Sequence, residues 1–177
     1  GFFGAAPIED AIEHSRGYLR AVGPLAPGSR LADLGSGGGL PGLVLATAYP
    51  DVVVVLIDRR QKRTDFLERA VRRLDTTNTS VWCRDVSAVA RGVESGQIAP
   101  FEVVTARGFG PPATTLTLAT RLLGVSRAGR IVSSEPPAGD RWDPALLSRL
   151  GLVGERVGPV RCFVRPANPG IQRPGGR

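Results

Sequence analysis

Asp33 sits in a short apolar run, Leu31-Ala32-Asp33-Leu34, and Gly35-Ser36-Gly37-Gly38-Gly39-Leu40-Pro41-Gly42 follows at once. Glycines let the backbone turn sharply and let a ligand reach main-chain N–H groups with no Cβ in the way. An apolar helical stretch comes next, and a helix start offers unpaired N–H groups and a positive dipole end. Strand, acid, glycine turn and helix in that order predict a nucleotide-type cofactor site at the first βα turn of a doubly wound sheet. A dinucleotide turn needs Gly-x-Gly-x-x-Gly, but counting from Gly35 the last of these positions is Leu40. Asp33 also sets a carboxylate where a phosphate would bring negative charge, so a cationic ligand suits the turn better. S-adenosylmethionine (SAM) carries a sulfonium and an ammonium, and Asp33 could hold the ammonium end.

A second acid supports this reading. Val52-Val53-Val54-Val55-Leu56-Ile57 is a continuous, mostly β-branched run of the kind buried on both faces of a parallel sheet, and it ends in Asp58. An acid at the end of the second strand, roughly 20 residues past the glycine turn, is placed to bond the hydroxyls of a ribose. Asp58→Ala is therefore expected to weaken SAM binding while barely moving the ligand-free thermal midpoint.

The elements that must hold these residues alternate. Ala11–Val22 has helical periodicity and leads in; strands are predicted near 30–34, 52–57, 79–83, 101–105 and 130–134. Helices are predicted near 40–48, 61–74, 86–95, 113–123 and 144–149. Two last strands, 152–157 and 160–165, are joined by Gly158-Pro159 as a hairpin. The pattern predicts an α/β, Rossmann-like fold of the SAM-dependent methyltransferase type. Its mostly parallel seven-stranded sheet would carry helices on both faces and a C-terminal antiparallel hairpin. One methyltransferase domain is expected over 1–165, with 1–29 as a helical lead-in and 166–177 as a Pro/Gly-rich tail.

Composition narrows the class. The 177 residues suit one domain with a sizeable core, and no apolar run approaches the roughly 20 residues of a membrane span. His14 is the sole histidine, so no site with two histidine ligands exists, and no metal is expected. Cys83 and Cys162 lack metal-ligand spacing and read as buried free thiols in a reducing compartment, the cytoplasm. The chain opens with glycine and has no methionine, so the natural start is expected to be missing. Net charge is +7, which fits a polyanionic partner such as RNA. Lys62 is the only lysine; an arginine skew of this kind also follows from a GC-rich coding bias.

The glycine block, Asp58, Lys62-Arg63 and Phe66-Leu67 together resemble the glucose-inhibited division B (GidB) family. Cys83-Arg84-Asp85 resembles its Gly-Arg pair after strand three, and Ala106-Arg107-Gly108-Phe109 its Ser-Arg-Ala-Phe after strand four. His14 precedes Asp33 by the family's spacing, and the likeness spans about residues 8 to 135. The resemblance implies a methyltransferase that places a methyl on guanine N7 of 16S ribosomal RNA, with RNA or the small ribosomal subunit as partner. N7 is an in-plane lone pair that needs no proton removed, so no general base is required. The rate would come from alignment and exclusion of water.

By resemblance, Gly35, Ser36, Gly37, Gly39 and Leu40 wrap the methionine part of SAM. Arg59, Asp85 and Val86 lie along the adenine. Arg84 and Arg107 are the catalytic-side arginines, and Lys62 and Arg63 face the RNA. At Ser133-Ser134-Glu135-Pro136 the family carries Ala-Leu-Lys-Gly, whose lysine is a substrate-side cation. Glu135 would then repel a phosphate, and Glu135→Lys would raise RNA affinity. Two other readings remain open here: a methyltransferase for another RNA or a small molecule, and a non-catalytic SAM- or RNA-binding relative. The oligomeric state is not legible.

Overall fold

The computed structural model describes residues 8–123, 129–135 and 141–165; Pro136-Pro137 and the tail from Pro166 lie outside them. Helix α1 (Ile8–Val22) starts three residues before the predicted Ala11 and leads into β1 (Arg30–Leu34). Then come α2 (Gly42–Ala48), β2 (Val53–Asp58), α3 (Gln61–Leu74), β3 (Thr79–Cys83), α4 (Val86–Glu94) and β4 (Val103–Ala106). The chain continues through α5 (Pro112–Leu122), β5 (Arg130–Ser134), α6 (Pro144–Leu150), β6 (Val153–Val157) and β7 (Val160–Val164). All of the predicted elements form.

The strands make one sheet in the order β3-β2-β1-β4-β5-β7-β6. Strands β1 to β5 are mutually parallel, while β7 runs antiparallel to both β5 and β6. The hairpin therefore folds back so that the last strand sits inside the penultimate one. Side chains alternate between two cores. Ala32, Leu34, Val55, Ile57, Val104 and Ile131 pack with residues of α4, α5 and α6 on one face. Leu31, Val54, Leu56, Val103 and Val132 pack with Tyr18, Leu45 and Leu67 on the other. Covered on both faces, the central strands are mostly apolar, and their buried polar residues, Asp33, Asp58, Thr105 and Ser133, lie at or near the C-terminal ends.

Chain order reverses between β1 and β4, and a crevice opens beyond the C-terminal ends of those strands. Register brings Asp33 of β1 opposite Thr105 of β4, and Leu56 of β2 opposite Asp33 on the other side. Tyr18 ties α1 to this end of the sheet, its Oη donating to the Ala106 carbonyl at 2.7 Å.

Two expectations differ. Helix α2 begins at Gly42, two residues late, because Leu40-Pro41 still belongs to the turn and Pro41 is the N-cap. Cys83 is exposed and Cys162 half-buried, not both buried. Strand β3 is one edge of the sheet, so its last residue, Cys83, has a neighbouring strand on one side only.

Candidate functional site

The glycine turn is braced from within. The Ser36 hydroxyl donates to the Asp33 carbonyl at 2.9 Å, and Gly39 N–H donates to the Ser36 carbonyl at 2.7 Å. Gly37 and Gly39 have φ of 50° and 91°, the left-handed region where side chains are strained. At Gly39 a Cβ would also lie 2.3 Å from Leu43. Gly39 thus packs downward, and Gly38 takes the place expected for it in the cavity wall.

Two adjoining cavities open over this turn. One of about 270 Å³ is walled by Gly35, Ser36, Gly37, Gly38, Leu40 and Arg107, together with Arg63 and Gly108. The other, about 420 Å³, runs past Asp58, Arg59, Asp85, Val86, Phe109 and Leu118. Gly35, Arg63 and Gly108 belong to both walls. An elongated ligand would lie across the turn, one end over Gly37 and the other beyond Asp58. Phe109 packs on Gly35, where a Cβ would come within 2.9 Å of its ring. Phe109, Thr105 and Gly108 are site residues that sequence reasoning misses. The signal for Thr105 is a hydroxyl at the end of an otherwise apolar strand.

Asp33 is 1% exposed, so it lies beneath the cavity rather than in its wall. The sequence places Asp33 in contact with a ligand ammonium, whereas its carboxylate is in neither cavity wall. Its Oδ1 accepts from Thr105 Oγ1 at 2.6 Å, while Oδ2 is buried without a partner. Burial pushes the carboxyl up to about 6, against, in falling order, Thr105, Ser36, the Gly42 main chain and the charge of Arg107. The folded protein therefore holds this proton to higher pH than the unfolded chain. Its contribution to stability falls as pH rises from about 4 to about 6. A cation above the turn favours the ionised form, so affinity for S-adenosylhomocysteine is expected to rise from about pH 5 to 7 and then level off. Calorimetric titration across that range measures it; a flat profile would remove Asp33 from the site.

Asp58 is 4% exposed and held on three sides. Oδ2 accepts from Gly37 N–H at 3.1 Å and from Arg63 Nη1 at 3.3 Å, and Oδ1 accepts from Arg60 N–H at 3.0 Å. A carboxylate has about four lone-pair sites, so room remains for a hydroxyl, and more if Arg63 swings away. Asp85 caps α4: its Oδ1 accepts from Ser87 N–H at 2.8 Å and from the Ser87 hydroxyl, which hold it below the usual carboxylate range. Val86 follows it in the cavity wall.

The basic residues separate. Arg107 is half-buried at the lip of the smaller cavity, with no ion pair among the described residues. Arg84 does not join it: exposed beyond β3, its guanidinium lies 5.4 Å from the Trp82 ring centroid. Two strands separate β3 from β4. Lys62 and Arg63 also part, because neighbours on a helix point about 100° apart. Lys62 is exposed, whereas Arg63 turns into the cavity.

Glu135 is the largest departure from expectation. Its side chain is fully buried, and Oε2 accepts from Trp142 Nε1 at 2.7 Å and Arg161 Nε at 2.9 Å. A carboxylate neutralised by an arginine of β7 does not present free negative charge to a phosphate.

The acids and turn fit a nucleoside ligand with a cationic tail: an unpartnered buried Oδ2 lies below the glycine cradle, and an anchored acid stands beside it. Comparisons with known proteins bear on the fold and on the family. The architecture matches a precorrin-6y C5,15-methyltransferase of Geobacter metallireducens (TM-score 0.57, 13% identity, 88% of this chain and 86% of that one). It also matches a SAM-dependent methyltransferase of Aquifex aeolicus (TM-score 0.56, 17% identity, covering 85% and 87%). In sequence the chain is similar to ribosomal RNA small subunit methyltransferase G of Sorangium cellulosum, 45% identical over 107 residues. That match covers 59% of this chain and 44% of the relative. It is 36% identical to the same enzyme of Kineococcus radiotolerans over 184 residues, covering 89% and 69%. Against the Sorangium protein and that of Laribacter hongkongensis (45% covered) the chain spans under half of the relative's length. The model of the GidB family, rRNA small subunit methyltransferase G, matches residues 18–133, and with turn, acids and sheet all in place the chain belongs to that family.

Proposed function

We propose that this chain is a SAM-dependent methyltransferase that places a methyl on guanine N7 in 16S ribosomal RNA. The observation that carries the reading is the pairing of two buried acids, Asp33 and Asp58, across one glycine turn. Asp33 draws the ammonium end. The turn at Gly35, Ser36, Gly37, Gly38 and Leu40 surrounds the methionine part, and Gly39 lets the turn form. Asp58 takes the ribose, while Arg59, Asp85 and Val86 flank the adenine. We assign Arg63 to the cofactor, because it lines both cavities and bonds Asp58.

SAM supplies an electrophilic methyl on a sulfonium. The protein's work is to hold N7 in line with it and keep water out. Arg107, at the lip and with no ion pair among the described residues, is suited to fork onto guanine O6 and N7 or a neighbouring phosphate. The Glu135–Arg161 pair removes the main argument for a small-molecule substrate, since no free negative charge opposes RNA there. No helix among the described residues is long and apolar enough to cross a membrane. We place the protein in the cytoplasm as one domain over 1–165.

Transfer of labelled methyl from SAM tests this directly, with protein-free ribosomal RNA, intact small subunits and a pool of small molecules as acceptors. Label is expected in RNA, in one or both forms. Label confined to small molecules, or absent everywhere, would overturn the reading.

A further inference from the structure

Helix α3 carries five basic residues, Lys62, Arg63, Arg69, Arg72 and Arg73, against two acids, Asp65 and Glu68. Arg63 faces the cavity, but the other four are exposed. At about 100° per residue, Lys62, Arg69 and Arg73 fall within about 40° of one another, in a row about 16 Å long. Arg72 lies on its flank. Asp65 accepts from Gln61 Nε2 at 2.8 Å, and neither acid pairs with the row among the described residues.

Exposed arginines without an ion pair among the described residues occur elsewhere too, Arg59, Arg60, Arg91 and Arg149, but they are spread over different elements, and others are paired. Arg16 and Arg20 meet Glu13, and Arg121 meets Glu94 through two bonds. The α3 row gathers basic side chains that make no ion pair among the described residues, with Asp65 and Glu68 along its flank, on a rigid element that starts at the cavity and runs away from it.

We propose that the outer row of α3, Lys62, Arg69 and Arg73 with Arg72 beside it, binds phosphates of an RNA strand and holds that RNA against the cavity mouth. The inference rests on the reading of RNA as substrate. Guanidinium groups fork onto phosphate oxygens, and a helix keeps them in register with a stiff polyanion. A lipid surface would need an apolar stripe beside the charge. Here Leu67 is buried and Phe66, Ala70 and Val71 pack on the core. A protein partner would need an apolar or aromatic anchor within the patch, and only Leu74, at the far end, is exposed.

The test combines Arg69→Gln, Arg72→Gln and Arg73→Gln in the full chain, with binding to a protein-free small-subunit ribosomal RNA transcript measured at several salt concentrations. Affinity at low salt is expected to fall about tenfold or more. The slope of log affinity against log salt should shrink by about 2, since each phosphate left unneutralised removes about 0.7–0.9 from it. S-adenosylhomocysteine affinity and the thermal midpoint should hold, and the matching triple lysine variant should keep most of the slope. Unchanged RNA affinity and slope in the glutamine variant overturn the proposal, as does a wild-type chain that does not bind RNA. Displacement of the RNA by polyglutamate at equal charge overturns it in favour of an acidic protein partner. A chain that binds RNA through this row yet transfers no methyl leaves the surface standing and defeats the proposed reaction. Methyl transfer with an unaffected glutamine variant does the reverse.

Discussion

Asp58→Ala is expected to lower both stability and cofactor affinity. The carboxylate accepts from Gly37 N–H, Arg60 N–H and Arg63. Alanine leaves two main-chain donors in the site without an acceptor, and each such loss costs about 1–3 kcal/mol. A total of about 2–6 kcal/mol corresponds to a fall of roughly 4–24 °C in thermal midpoint for a domain of this size. The ligand-free midpoint therefore moves, contrary to what strand position alone suggests, because Asp58 also pins the glycine turn. Affinity for S-adenosylhomocysteine should drop at least about tenfold, as expected when charged hydrogen bonds worth about 1.5–3 kcal/mol are removed. Asp58→Asn keeps one carbonyl acceptor and should recover part of the stability. Scanning calorimetry and ligand titration measure the two effects. An unchanged midpoint would mean that Asp58 does not hold the turn.

Glu135→Lys is expected to damage the fold rather than improve RNA binding. The lysine would sit at a fully buried position against Arg161, where Glu135 now accepts two hydrogen bonds. Breaking a buried ion pair costs about 3–5 kcal/mol, a large share of a stability of about 5–15 kcal/mol. Glu135→Gln retains an acceptor for Trp142 and should be milder. Chemical denaturation of the two variants decides the order. A lysine variant as stable as the natural chain, with tighter RNA binding, would return Glu135 to the substrate side.

These residues show where sequence is legible and where it is not. Strands β2 and β5 are visible as short β-branched runs, and β1 as a short apolar run interrupted by Asp33, since parallel strands covered on both faces are mostly apolar. The acids at Asp33 and Asp58 are visible because each ends or interrupts such a run. Glu135 is misread from sequence because its partner, Arg161, is 26 residues away on a strand whose neighbour in the sheet no periodicity reveals. Arg84 is misread for a related reason: only sheet order shows that β3 is an edge, two strands from Arg107. The divergence of Lys62 and Arg63 is readable from helix geometry, but likeness to a basic pair in the family joins them. Thr105 acts through cross-strand register, which a single sequence does not contain.

The decisive measurement is the identity of the methylated atom. Ribosomal RNA incubated with the protein and labelled SAM, then digested to nucleosides and analysed by mass spectrometry, should yield labelled N7-methylguanosine from a discrete position. That outcome matches a site with an alignment pocket, an arginine at its lip and no general base. Label on an exocyclic amine or on a pyrimidine carbon would call for a base or a nucleophile, whereas the acids in the described cavity wall, Asp58 and Asp85, are already engaged in hydrogen bonds, and it would contradict the assignment.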